Sequence, residues 1–151
     1  MKTIFHTVLM STLILIGCQV GPDEINYGSD MCDYCHMTIV DNQFAAQLVT
    51  NKGRTQKFDA IECMIHALDS KDKTDFAHIL ITDFSQPGKW VDAVDATYVI
   101  SPSLPSPMGA NLSGFQSREA AAKILQEHEG EMHDWTEITS LFKQNNNVMS
   151  H

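Results

Sequence analysis

Cys32-Asp33-Tyr34-Cys35-His36-Met37, followed by Thr38-Ile39-Val40, is the stretch on which the reading of this chain turns. It crowds two thiols, an imidazole and a thioether into six residues. Such soft or borderline donors suit Cu(I) better than Mg²⁺ or Ca²⁺. The same letters contain C-x-x-C-H, the attachment signature of c-type haem, and C-x-x-C, a possible dithiol redox centre. The β-branched run that follows reads as the start of a strand. That context disfavours haem, because small c-type cytochromes are mostly helical and carry the motif at the end of a short helix. It also disfavours a thioredoxin-like dithiol, which should open a helix after a strand. Redox chemistry stays open through His36, which could activate a neighbouring thiol. A structural zinc site would want four ligands, and Cys32, Cys35, Cys63 and one histidine could supply them, though the spacing is not that of a zinc ribbon. Soft-metal transfer fits best, because an ion that passes on by ligand exchange needs affinity without a closed cage. On an extended strand Cys35 and Met37, being alternate residues, project to one side. Cys32 or His36 could complete a site of low coordination.

Upstream, Lys2 and the apolar run Val8 to Ile16 read as a signal peptide, too short to span a bilayer. Leu15-Ile16-Gly17-Cys18 looks like a bacterial lipobox, which predicts cleavage before Cys18 and lipid on its thiol. Several acyl chains on one cysteine anchor stably without a transmembrane helix. Gln19, in place of an inner-membrane-retaining Asp, favours an outer-membrane destination facing the periplasm. Residues 18–30 are polar and broken by Gly and Pro, and read as a lipidated cysteine with a flexible tether. Without residues 1–17 the chain keeps 10 − 1 = 9 basic residues against 19 acidic ones, a formal charge of −10. No basic patch stands out, so nucleic acid is excluded as a partner, and contact with anionic lipid is expected through the anchor alone. Once Cys18 is committed to lipid, Cys32, Cys35 and Cys63 remain. An odd number is not a disulfide scaffold.

Downstream, Gln43 to Thr50 and Arg54 to Phe58 read as strands around the turn Asn51-Lys52-Gly53. Asp59 with Glu62 resembles a capping box, and Ile61, Met64, Ile65 and Leu68 recur at helical spacing behind it. Phe76 to Phe84, Lys89 to Asp92 and Ala96 to Ile100 are strand candidates, with Gln86-Pro87-Gly88 ending the first. Residues 101–114 hold three of the five prolines and read as a long loop. Ser117 caps a second helix through about Glu127, and residues 145–151 read as a loose tail behind a domain of residues 31–144. Strands, Phe58 and a capped helix are echoed by strands, Phe115 and a capped helix. The class is α+β with a small, mostly antiparallel sheet.

Four motifs in order, Cys32-Asp-Tyr-Cys-His-Met37-Thr-Ile, Lys57-Phe-Asp-Ala-Ile-Glu-Cys-Met64, Trp90-Val-Asp-Ala and Ser106-Pro-Met-Gly109 with Phe115 beyond, resemble the NosL family over roughly residues 30–126. The resemblance implies a periplasmic lipoprotein that binds Cu(I) and serves maturation of nitrous oxide reductase as a chaperone, not an enzyme. It implies a fold of two ββαβ-type units, related to alkylmercury lyase. The family's copper segment is C-x-x-C-x-M, so Cys35 and Met37 carry over most directly. Many members have Gly at the position of His36. Cys63 lies about 200° around its helix from Ile61, so it could approach the metal from a second element. Met108, in a Pro-Met-Gly turn, is a further candidate ligand or partner contact. Met132, His133, Met149 and His151 are weaker ones.

Overall fold

Two ββαβ units, each with its strands in the same spatial order, make up the computed structural model, which describes residues 20–148. In the first unit, β1 (Ala46–Thr50) and β2 (Thr55–Phe58) form a hairpin, α1 (Ile61–Leu68) follows, and β3 (Phe76–Asp83) returns beside β1. A tight turn then adds β4 (Gln86–Asp92), giving the antiparallel order β2-β1-β3-β4. In the second unit β5 (Thr97–Ile100) pairs with β6 (Leu112–Phe115), α2 (Arg118–Ile124) follows, and β7 (Glu131–His133) returns beside β5 in the order β6-β5-β7. A last helix, α3 (Trp135–Val148), closes the fold. The α+β class and the paired units expected from the sequence are both present. Phe58 and Phe115 end the equivalent strands β2 and β6, and both are fully buried.

The units join at Gly114. A Cβ there would fall 2.2 Å from Ile81 Cδ1 of β3 and 3.1 Å from Ile61 Cδ1 of α1. Only a bare backbone lets β6 come this close to the first unit. The Phe84 amide donates to the Gly114 carbonyl at 2.8 Å across the same seam. Helix α1 packs on both β1 and β6, and its apolar face, with Ile61, Met64, Ile65 and Leu68, joins one continuous core with Leu48, Phe58, Ile81 and Ile138.

Several expectations are corrected. Thr38–Val40 is not a strand: Met31 and Thr38 make an isolated antiparallel bridge, and Ile39 is buried as a single anchor. The loop read over residues 101–114 ends at Asn111, because Leu112–Phe115 is β6. Pro87 and Gly88 lie inside β4 rather than ending a strand, which an edge position tolerates. Ser117 caps α2 as expected, its hydroxyl accepting from the Ala120 amide at 3.2 Å, but the helix stops at Ile124. The boundary drawn at residue 144 falls within α3, which runs to Val148.

The polar segment before Cys32 is also no loose tether in its described part. Gln47, fully buried on β1, holds Asp23 like a strand partner: it accepts from the Asp23 amide at 3.0 Å and donates to the Asp23 carbonyl at 2.6 Å. Ile25 is buried in the core. Lys57 pairs with Asp30 at 2.6 Å and donates to the Glu24 carbonyl. The Lys57 ammonium, then the Asn26 amide, holds the Asp30 carboxyl below its usual range. The signal peptide, Cys18 and the weak candidates Met149 and His151 lie outside the described residues.

Candidate metal centre

The Cys32–Cys35 turn is docked on the end of β2 through Asp33. The Asp33 amide donates to the Lys57 carbonyl at 2.8 Å, and the Asp33 carboxylate accepts from the Lys57 amide at 2.6 Å. The turn closes on itself where the Cys32 amide donates to Met37 O at 2.8 Å and the His36 amide to Cys32 O at 3.0 Å. His36 adopts φ +61°, the left-handed region that favours glycine. This backbone reversal, not an extended strand, separates Cys35 from Met37, so the strand geometry expected of the pair is absent.

The docking brings four side chains together. One ligand atom from each of Cys32, Cys35, Asp59 and Cys63 lies within 4.8 Å of the other three, a group that could hold a metal ion. Two come from the turn, one from the residue after β2, and one from the first turn of α1. Cys32, Cys63 and Asp59 are buried, while Cys35 is half-buried at the surface. Cys63 reaches the turn from a second element, α1. All three thiols are free.

Asp59 was read as the helix cap, and the structure overturns this. Ala60 is the N-cap and makes no side-chain capping bond. The Asp59 carboxylate instead accepts from the Cys35 thiol at 3.4 Å, and its second oxygen is buried without a hydrogen-bond partner. Glu62, the other half of the supposed box, turns away to accept from the Ser106 hydroxyl. Burial pushes its carboxyl up. A buried carboxylate oxygen left unpaired beside three thiols is a group arranged for a cation, since burial without a partner is costly.

The thiols divide into one thiolate and two thiols. Cys32 is lowered to about 6, chiefly because Cys63 S–H donates to it, with the Cys35, Asp59 and Tyr34 amides adding to the effect against the opposing cost of burial. Donation to Cys32 and burial push Cys63 well up, and burial raises Cys35 to about 11. A soft cation therefore meets one anionic sulfur and releases protons as it recruits the others.

The remaining candidates form the rim. Met37 is 48 % exposed, and His36 is exposed and lies outside the four-residue cluster. Met108 is 41 % exposed, in a loop that Ser106 ties to Glu62 on α1. Tyr34, inside the turn, stacks on His66 of α1 at 5.5 Å and 23°, and His66 meets the edge of Phe142 of α3 at 5.6 Å. Burial lowers the His66 pKa. Met132 and His133 fall on β7, in the second unit.

The same architecture occurs in a known protein. The crystal structure of the copper chaperone NosL from Shewanella denitrificans superposes with a TM-score of 0.68 at 18 % identity, covering 79 % of this chain and 96 % of that one. No curated protein matches the sequence. The NosL family model matches residues 25–142, which spans both ββαβ units and every member of the cysteine cluster, and the chain therefore belongs to the NosL family.

Proposed function

We propose that this protein is a Cu(I) carrier, not an enzyme, which holds the ion at Cys32, Cys35 and Cys63 and hands it to a copper-receiving protein. The observation that supports this most is the convergence of three thiols behind a half-exposed Cys35, with the Met37 thioether at the rim. A buried thiolate supplies affinity, and the open side supplies an exit by ligand exchange. Family membership and likeness to a copper chaperone point the same way. The client implied by the family is the maturation machinery of nitrous oxide reductase. Lipid on Cys18 would tether the carrier to a membrane facing the periplasm, with the outer membrane favoured by Gln19.

The test is a competition titration against a chromophoric Cu(I) chelator under reducing conditions. Cys35→Ser and Cys63→Ser should each weaken binding at least about tenfold, the scale of losing one soft ligand, and Met37→Leu should weaken it measurably. Unchanged affinity in all three removes the site. Catalytic insulin reduction would favour the oxidoreductase reading through Cys32 and Cys35. The burial of Cys32 against Cys63 speaks against the c-type haem reading, which needs both thiols open to a porphyrin edge.

A further inference from the structure

The chain enters its fold at one end of the first sheet and reaches the cysteine cluster at the other. Val20 lies beside the β1–β2 turn: its carbonyl is 3.2 Å from His78 Nε2, and a Cβ on Gly53 would come 3.9 Å from its side chain. From there the segment follows β2, meeting Thr55 through Asp23, Lys57 through Glu24, Asp30 and Asp33, and Asp59 through Cys35. The path from Arg54 along β2 to Asp59 is five residue steps, about 16 Å at ~3.3 Å per residue.

The entry end carries cations that an acidic chain would not lead one to expect. Lys52 and Arg54 flank Gly53, and two adjoining grooves that share Thr50, Arg54 and Asp75 bring Lys71 to the same face. All three cations are exposed, and none forms an ion pair among the described residues. Lys71 donates to the neutral Gln56 at 2.8 Å. Asp75 is the one carboxylate lining the grooves. The sequence, net −9, showed no such patch because its members lie in two segments.

We infer that this end faces the membrane and that Lys52, Arg54 and Lys71 contact anionic lipid headgroups, so that the cysteine cluster points away from the bilayer. The inference rests on the reading that Cys18 carries lipid. Val20 is two residue steps from Cys18, a span of at most about 7 Å. That places the β1–β2 turn, with Lys52 and Arg54 on either side of Gly53, next to the headgroups and inside a Debye length of roughly 10 Å at ordinary ionic strength, where each Lys or Arg favours an anionic surface by about fivefold. The cluster lies beyond that layer, with its exposed rim turned to a partner.

The test uses the full chain, processed in cells and reconstituted into vesicles of phosphatidylcholine alone or mixed with phosphatidylglycerol. An amine-reactive ester then labels lysines, and mass spectrometry reads the rate at each one. Lys89, on β4 near the β3–β4 turn at the cluster end of the sheet, is the internal control. Labelling of Lys52 and Lys71 should slow at least about fivefold in the anionic vesicles, recover in high salt, and stay unchanged at Lys89. Equal rates in both lipids, with a chain that floats with the vesicles and has the mass of an acylated protein, overturn the orientation alone. A chain that neither floats nor carries acyl mass overturns the anchor, and this inference falls with it for that separate reason.

Discussion

Asp33 grips Lys57 through both its main chain and its side chain, at 2.8 and 2.6 Å, and this one pairing sets the cysteine turn against the end of β2. It works like one more rung of the sheet, with a carboxylate standing in for the second carbonyl. Hydrogen bonds to a charged acceptor contribute about 1.5–3 kcal/mol. Asp33→Ala should therefore leave the fold intact and weaken Cu(I) binding about tenfold, as read by chelator competition beside thermal unfolding of the metal-free protein. Unaltered affinity would show that the turn is positioned by other contacts.

His36 gives a sharper test of which residues hold the metal. Its left-handed backbone costs a non-glycine residue roughly 1 kcal/mol. His36→Gly should raise the melting temperature slightly and leave Cu(I) affinity within about twofold, the margin expected where no ligand is lost. A tenfold loss of affinity would make the imidazole a ligand.

The thiols should titrate apart. In the metal-free protein, one thiolate should appear with a midpoint near pH 6, from Cys32, and the Cys35 proton should stay on to about pH 11. The sign of the linkage follows. Cys32 is depressed on folding, so its contribution to stability is present above the ordinary thiol range and is lost as pH falls through about 6. Cys35 is raised, so its contribution is present below the ordinary range and is lost as pH rises through about 11. Thiolate absorbance against pH, in wild type and Cys32→Ser, checks this. Loss of the low-pH step in the variant is expected, and its persistence would assign the thiolate elsewhere.

Gly114 should resist even a methyl group. With Ile81 Cδ1 at 2.2 Å from the position of a Cβ, Gly114→Ala has to move the packed Ile81 side chain of β3 or shift β6 itself. Overpacking of this kind costs about 1–3 kcal/mol, so the midpoint of denaturant unfolding should fall. An unchanged midpoint would mean the seam between the units gives way freely.

The segment before Cys32 should behave as part of the domain. Gln47→Ala removes two hydrogen bonds to Asp23, a loss of about 2 kcal/mol at ~1 kcal/mol each. The variant should unfold earlier and exchange amide hydrogens faster over residues 20–30. Protection there equal to wild type would show that Ile25 and Lys57 suffice to hold it.

What could be read from the sequence followed local pattern. The β1–β2 hairpin, the apolar spacing of α1, the Ser117 cap and the echo of Phe58 in Phe115 all appear where residue type and spacing place them. The misreadings came from groups whose partners are far along the chain. Asp59 and Glu62 have capping-box spacing, but Cys35 and Ser106 divert them. The real capping box is Asp134 with Glu137, whose carboxylates accept from each other's amides at 2.9 and 3.0 Å and start α3. That helix hides behind three successive asparagines of low helical propensity, though Trp135, Ile138 and Phe142 put an apolar stripe at the right spacing. Residues 20–30 look like a linker by composition, because polar groups that bond to a sheet resemble polar groups that bond to water.

The three rings Tyr34, His66 and Phe142 give the cysteine turn two unequal fastenings. On the β2 side it is bolted by hydrogen bonds to a charged group. On the α1 side it is held by the stacked pair, worth about 0.5–1.5 kcal/mol, and by the Cys63 thiol, which donates to Cys32. The turn is thus clamped between β2 and α1, with Cys35 the sulfur left nearest to solvent.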